Sequence, residues 1–337
     1  MARSHFTLAA LATSAVDGLE VVGAQPFGSP GGDFDSALLT GSDGRHWLIR
    51  VPRNERAQSE QSADLLALRS LSTGIRARLP FSVATFAGQV PVGPTRAVVT
   101  EFVYGMKVPL AHLDIELAAS IGEAIAAVHA LPPSLVADAG LPAHSAPESQ
   151  RATSALIDRA GATGLVPASL LARWEGAASE GALWQFAPVV INGALSSDSF
   201  LSADDTVTGV VGWHGLRVGD PARDLQWLLG SSDDRIAEAA FAAYARVRGS
   251  VDRHLRPRAQ LLAELEVARW LLHGTEVRDT GIVDDAVEML TGIADDAQKD
   301  LMNPIGAQTM PVLDVDQVEE LLDTAEAGAG RPATWYA

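Results

Sequence analysis

The chain has 337 residues, 47% of them apolar, and its 42 acids against 25 bases give a net charge of −17. That length exceeds one typical domain and predicts two lobes. The acidic balance excludes direct binding to a nucleic-acid backbone, no apolar run reaches the roughly 18–20 residues of a membrane span, and the absence of cysteine excludes disulfides, thiolate metal sites and thiol nucleophiles.

In chain order, 5–17 has the apolar spacing of a first helix, with Phe6, Leu8, Leu11 and Val16 on it. From Leu19 the pattern shifts to short strands. A glycine-rich loop (Gly28, Gly31, Gly32) leads to two strands, 36–40 and 46–52, which flank the hairpin turn Gly41-Ser42-Asp43-Gly44. A helix is predicted over 59–71, with Leu65, Leu66 and Leu68 forming its apolar side, then two strands near 81–87 and 95–102. The first hundred residues thus read as a small, mostly antiparallel β lobe.

The remainder is mainly helical. Over 115–131, Leu117, Ile121, Ile125, Val128 and Leu131 share one face, and Pro132-Pro133 stops the helix. Helical segments are expected at 153–160, 167–178, 225–229, 234–246, 258–272 and 284–296. Strands interrupt them at 189–191, 200–201 and 207–211. Residues 302–337 change composition and read as a flexible acidic tail containing a short helix at 315–325. The domain division expected is 1–101 for the first lobe, 102–105 for a hinge, 106–301 for the helical lobe and 302–337 for the tail.

Three motifs stand out: Asp43-Gly44-Arg45-His46-Trp47-Leu48-Ile49-Arg50-Val51-Pro52-Arg53, the run His129-Ala130-Leu131-Pro132, and the block from Trp184 to Leu225. The last contains Val190-Ile191-Asn192-Gly193-Ala194-Leu195, then Val211-Gly212-Trp213, then Gly219-Asp220-Pro221-Ala222-Arg223-Asp224-Leu225. In this order they resemble macrolide 2′-phosphotransferases and the wider aminoglycoside phosphotransferase family, from about residue 19 to 272. The resemblance implies an α+β, two-lobed, protein-kinase-like fold, with a small antiparallel β N-lobe and a larger, mainly helical C-lobe. It also implies a nucleotide cleft with Arg50, Asp64, Gly31, Gly32 and the hinge residue Glu101 as its binding residues.

The same resemblance places Ala194 where the family's catalytic Asp orients the acceptor hydroxyl. Ser199 and Gly212 fall where the two metal-binding side chains stand. Phosphoryl transfer needs a positioned hydroxyl, Mg²⁺ bridging the phosphates and a cationic cradle. A methyl group accepts no proton, and loss of a general base costs about 10²–10⁴ in rate. Mg²⁺ demands hard oxygen ligands, which Ser supplies poorly and Gly not at all. Asp198 and His214 are the nearby substitutes for the missing acids. Asp220, before Pro221, reads as a helix-start cap, with Asp224 a turn later in the same network. His129 reads as a packed histidine.

The expected function is a cytoplasmic, catalytically inactive pseudokinase that binds or scaffolds. No catalytic residue is intact, no metal is held, and ATP or GTP is a weak, metal-independent ligand. A protein partner, or an uncharged or cationic small molecule, is the expected target. The alternative is an active ATP- or GTP-dependent small-molecule O-phosphotransferase with relocated acids. No Gly-x-Ser-x-Gly, His-Glu-x-x-His or Gly-x-x-x-x-Gly-Lys-Ser/Thr motif supports another chemistry.

Overall fold

The computed structural model describes residues 3–29, 31–249 and 252–299. The tail expected over 302–337 lies outside the described residues. The N-lobe begins with α1 (His5–Ala15), then β1 (Val21–Pro26), β2 (Phe34–Gly41), β3 (His46–Pro52), α2 (Glu55–Ser70), α3 (Thr73–Arg76), β4 (Phe86–Val92) and β5 (Thr95–Glu101). The strands form one antiparallel sheet in the order β1-β2-β3-β5-β4.

Side chains alternate across a strand, and here that alternation sorts the lobe into two faces. Ala37, Leu39, Trp47, Ile49, Val51, Ala97 and Val99 bury one face beneath Leu8 and Ala12 of α1. Gly88 permits this closeness, because a Cβ there would stand 1.9 Å from the Ala15 carbonyl oxygen. The alternate residues of β3, Leu48 and Arg50, therefore face the other way, toward α2 and the second lobe.

Helix α2 starts four residues before the predicted 59, because the Asn54 side chain caps it by accepting from Ala57 N at 2.8 Å. Leu65 and Leu68 are buried as expected, whereas Leu66 is 47% exposed. The strand expected at 81–87 is displaced to β4. The reason is that Ser82 leaves the N-lobe: its N–H donates to Thr208 O at 2.8 Å and its carbonyl accepts from Val210 N at 3.0 Å.

After β5, residues 102–105 carry no regular structure. The C-lobe follows with α4 (Ile115–His129), α5 (Ser134–Asp138), α6 (Ala146–Gly161), α7 (Ala168–Ser179), β6 (Val189–Ile191), β7 (Phe200–Ala203), β8 (Thr206–Val210), β9 (Arg217–Gly219), α8 (Ala222–Leu225), α9 (Asp234–Arg248), α10 (Leu255–Val277) and α11 (Thr280–Lys299). Strand β6 pairs with β9, and β7 with β8. Helix α6 starts before the predicted 153 because Ser145 and Glu148 close a capping box. The helix predicted at 225–229 is α8 followed by a 3₁₀ turn, Gln226–Gly230.

Helices α4 and α9 cross closely at Gly122, where a Cβ would lie 2.1 Å from the Ala240 carbonyl oxygen. One core joins α4, α9 and the β7–β8 hairpin to Phe81 and Leu68 of the N-lobe. A second lies between α6, α7, α10 and α11, where Trp174 Nε1 donates to Glu264 at 2.8 Å. Among the described residues no helix is long and apolar enough to cross a membrane.

Candidate functional site

Strand β6 delivers the loop Asn192-Gly193-Ala194, and buried Asp224 holds it from below. The Asp224 carboxylate accepts from Asn192 N at 2.7 Å and Gly193 N at 2.6 Å, and lies 3.2 Å from His129 Nε2. Gly193 has φ +79°, and a Cβ there would meet the Gly215 carbonyl at 2.5 Å, so glycine is required. His129 is packed, as the sequence suggests, with Nδ1 2.9 Å from the Tyr244 hydroxyl.

Burial pushes the Tyr244 phenol up to about 12 from its usual 10.0. Neutral Tyr244 thus contributes stability that is fully present below pH 10 and lost as pH rises through about 12. Denaturation followed from pH 9 to 12 should show about 2–3 kcal/mol lost over that window. The Tyr244→Phe variant should lack this loss.

Asp220 accepts from Ala222 N at 2.9 Å, as a cap would, but its larger partner is Arg258. The fully buried guanidinium donates to both Asp220 oxygens, at 2.9 and 3.1 Å, to Leu183 O at 3.0 Å and to Asp252. Asp224 belongs to the loop network and makes no contact with that ion pair among the hydrogen bonds described.

The three positions that should carry phosphoryl-transfer chemistry are now placed. Ala194 abuts Gly215, where a Cβ would come within 2.9 Å of the Ala194 methyl. Ser199 is buried and turned inward, its hydroxyl accepting from Ser196 N at 3.2 Å. Gly212 has φ +75° with open space around its Cα, and its carbonyl accepts from Asn192 Nδ2 at 3.0 Å. Asn192, which the sequence reading passed over, therefore ties the loop to the strand end at 212. Its polar side chain inside an apolar run was the available signal.

Arg50 and Asp64 both line the interlobe cavity, but no ion pair within 4 Å joins them among the described residues. Arg50 stacks over the Phe34 ring, 3.7 Å from its centroid. Desolvation lowers its pKa, against the opposing pull of Asp64 and Glu60. Asp64 instead accepts the backbone N–H of Trp213 at 2.6 Å. Burial raises its pKa, with that hydrogen bond and Arg50 opposing. The acid expected to brace the strand cation is engaged with the residue beside Gly212.

Neither proposed substitute is among the residues that line this cavity, although His214 is near enough to Asp64 to favour its charged form. Asp198 is 80% exposed and 3.7 Å from Lys107 Nζ. His214 Nδ1 is buried without a hydrogen-bond partner and stands 3.9 Å from Glu60. Glu101 is paired with Arg45 at the end of β5. Gly31 (φ +82°) and Gly32 form a turn, with Gly32 N donating to Ser29 O at 3.2 Å, and line no part of the cavity.

Among the described residues no group of three or more His, Asp or Glu side chains is placed to hold a metal ion. An inward-turned hydroxyl at 199 and a hydrogen at 212 offer Mg²⁺ none of the charged oxygen ligands it favours, so these two residues do not fit it. The cavity bounded by Arg50, Asp64, Val98, Thr100, Gly212 and Trp213 holds about 70 Å³, against roughly 300–1,000 Å³ for ordinary small-molecule pockets. Phe27, at the end of β1, reaches Phe102 edge-on, with ring centroids 5.7 Å apart, and links the glycine turn to the interlobe segment. A larger groove of about 1170 Å³ lies on the N-lobe, where Arg3 and Arg53 are both paired with Asp35.

A model of the phosphotransferase enzyme family matches residues 25–262. No curated protein sequence matches the chain. Among solved structures, it is similar to apo macrolide 2′-phosphotransferase MphH from Brachybacterium faecium at 22% identity and TM-score 0.70, over 85% of this chain and 98% of that one. It is similar to a macrolide 2′-phosphotransferase type I at 23% identity and TM-score 0.66, over 85% and 96%. It also resembles the GDP complex of an aminoglycoside 2′-phosphotransferase-IIIa at 17% identity and TM-score 0.70, over 87% and 99%.

Proposed function

Because the chain belongs to the phosphotransferase enzyme family and has its kinase-like fold, we propose that it is a pseudokinase, a member that keeps the two-lobed frame as a binding protein and transfers no phosphate. The observation that carries this reading is the pairing of an intact loop scaffold with inert side chains on it. Asp224 still holds both loop amides, while the side chains presented at 194, 199 and 212 are a methyl, an inward hydroxyl and a hydrogen. Loss of the base and of both metal ligands strikes separate requirements of one reaction.

Relocated acids are the rival explanation. Asp198 would have to leave Lys107 and solvent to serve, and His214 faces Glu60. Among the described residues neither belongs to a group of three or more His, Asp or Glu side chains placed to hold a metal. The small cavity and the Arg50–Phe34 stack also argue against tight nucleotide binding. The three to four negative charges of ATP or GTP would enter without a metal to neutralise them, beside Asp64 and Glu60.

Calorimetry with ATP and GTP should give dissociation constants on the order of 0.1–1 mM, about 4–5.5 kcal/mol of binding free energy, unchanged when Mg²⁺ is added. Micromolar binding that requires Mg²⁺ and disappears in Arg50→Ala would return the active-kinase reading to first place.

A further inference from the structure

A second cavity, about 260 Å³, opens between α6, β9, α8 and α10, with Ile191 of β6 in its wall. In a protein of net charge −17 its lining is unexpectedly basic: Arg217, Arg223 and Arg269, with His144 beside them. All three arginines are half-buried. Taking the chain as the binding protein proposed above, and deepening that reading, we infer that this pocket binds a small oxyanion, a phosphate- or carboxylate-bearing molecule, through Arg217, Arg223 and Arg269.

Most carboxylates near the pocket are already engaged by other partners. Glu266 is the carboxylate in contact with the arginines, at 2.6 Å from Arg269 Nη1 and 3.6 Å from Arg223 Nη2, and it also accepts from Gln226 at 3.1 Å. Asp220 lines the pocket but spends both oxygens on Arg258 and the Ala222 amide. Glu148 is held by the Ser145 amide and hydroxyl at 2.8 and 2.6 Å. Asp224 is occupied by the loop amides and His129.

Arg217 donates to a neutral partner, the Gly193 carbonyl, at 3.0 Å. Arg223 Nε is buried and has no hydrogen-bond partner among the described residues. Two of the three guanidinium groups thus share one carboxylate, the third rests on a neutral carbonyl, and a buried donor is left over.

Like charges held together and partly desolvated are costly in the free protein. Desolvation, then the charge of Arg223, lowers the pKa of both Arg217 and Arg269. An entering oxyanion relieves that repulsion and accepts the orphaned N–H. Planar guanidinium forks match carboxylate and phosphate geometry in two-pronged fashion. The inference reverses the cationic-ligand expectation from net charge. Surface carboxylates beyond about 8–10 Å are screened by salt, whereas the three arginines meet a ligand at contact distance.

Thermal shift without nucleotide tests this separately from phosphoryl transfer, so loss of anion binding would leave the pseudokinase reading standing. The probes are inorganic phosphate and citrate, read against sodium chloride at equal ionic strength, with kanamycin as the cationic comparison. Saturating phosphate or citrate should raise Tm by about 5 °C over chloride, and which one does so names the anion source. Arg223→Gln and Arg269→Gln should each weaken binding about tenfold, while their anion-free Tm stays at or above that of the wild type. Arg223→Lys, which keeps charge but not the fork, should fall between.

The inference is overturned if neither oxyanion exceeds chloride, if the shift persists undiminished in both Gln variants, or if kanamycin alone stabilises. It is also overturned if both Gln variants lose more than about 5 °C without anion, since the arginines would then be structural supports.

Discussion

Asp224→Ala should lower the stability of this protein by about 3–5 kcal/mol, which for a chain of this size is a fall in Tm of about 10 °C. Its carboxylate is completely buried and serves two loop amides and the His129 imidazole at once. Truncation leaves those donors in the interior without the one carboxylate that faces all of them. Asp224→Asn keeps one acceptor oxygen and should lose less. The measurement is chemical denaturation of the three proteins side by side. A loss under 1 kcal/mol for Asp224→Ala would mean that the loop is held by something else.

The combined change Ala194→Asp, Ser199→Asn and Gly212→Asp should raise phosphoryl transfer at least 10²-fold above the wild-type background, since one general base is worth about 10²–10⁴. The scaffold permits this in part. Space is open around Gly212, and its φ of +75° is one that Asp tolerates better than most residues, at a cost of about 1–2 kcal/mol. Position 199 is less favourable, because the Ser199 hydroxyl caps its own turn and a longer Asn must turn outward to reach the cleft. A triple variant that folds yet gains no Mg²⁺-dependent transfer would show that the frame itself, and not its side chains, has lost the chemistry.

Local pattern made the architecture legible. Period-two alternation in 36–40 and 46–52 gives β2 and β3, and the apolar face from Leu117 to Val128 gives α4. The motif at Gly219–Leu225 marks the loop support, although the division of labour between Asp220 and Asp224 depends on partners 38 and 32 residues away.

Contacts of that range are what sequence conceals. Ser82 crosses lobes to join β8, which displaced the predicted strand. Asp64 turns to the Trp213 amide, 149 residues on, and not to Arg50. Phe27 and Phe102, far apart in the chain, meet edge-on. The arginine pocket is assembled from β9, α8 and α10, and net charge argued against it.

The wild-type arm of the phosphoryl-transfer assay is the most direct test of the central claim. Purified protein would be incubated with γ-labelled ATP or GTP, Mg²⁺ and a panel of macrolides and aminoglycosides, and labelled product would be counted. The account predicts no transfer above the no-enzyme background for any acceptor. Robust turnover by the wild type, lost in Asp198→Ala or His214→Ala, would contradict it and identify the relocated acid.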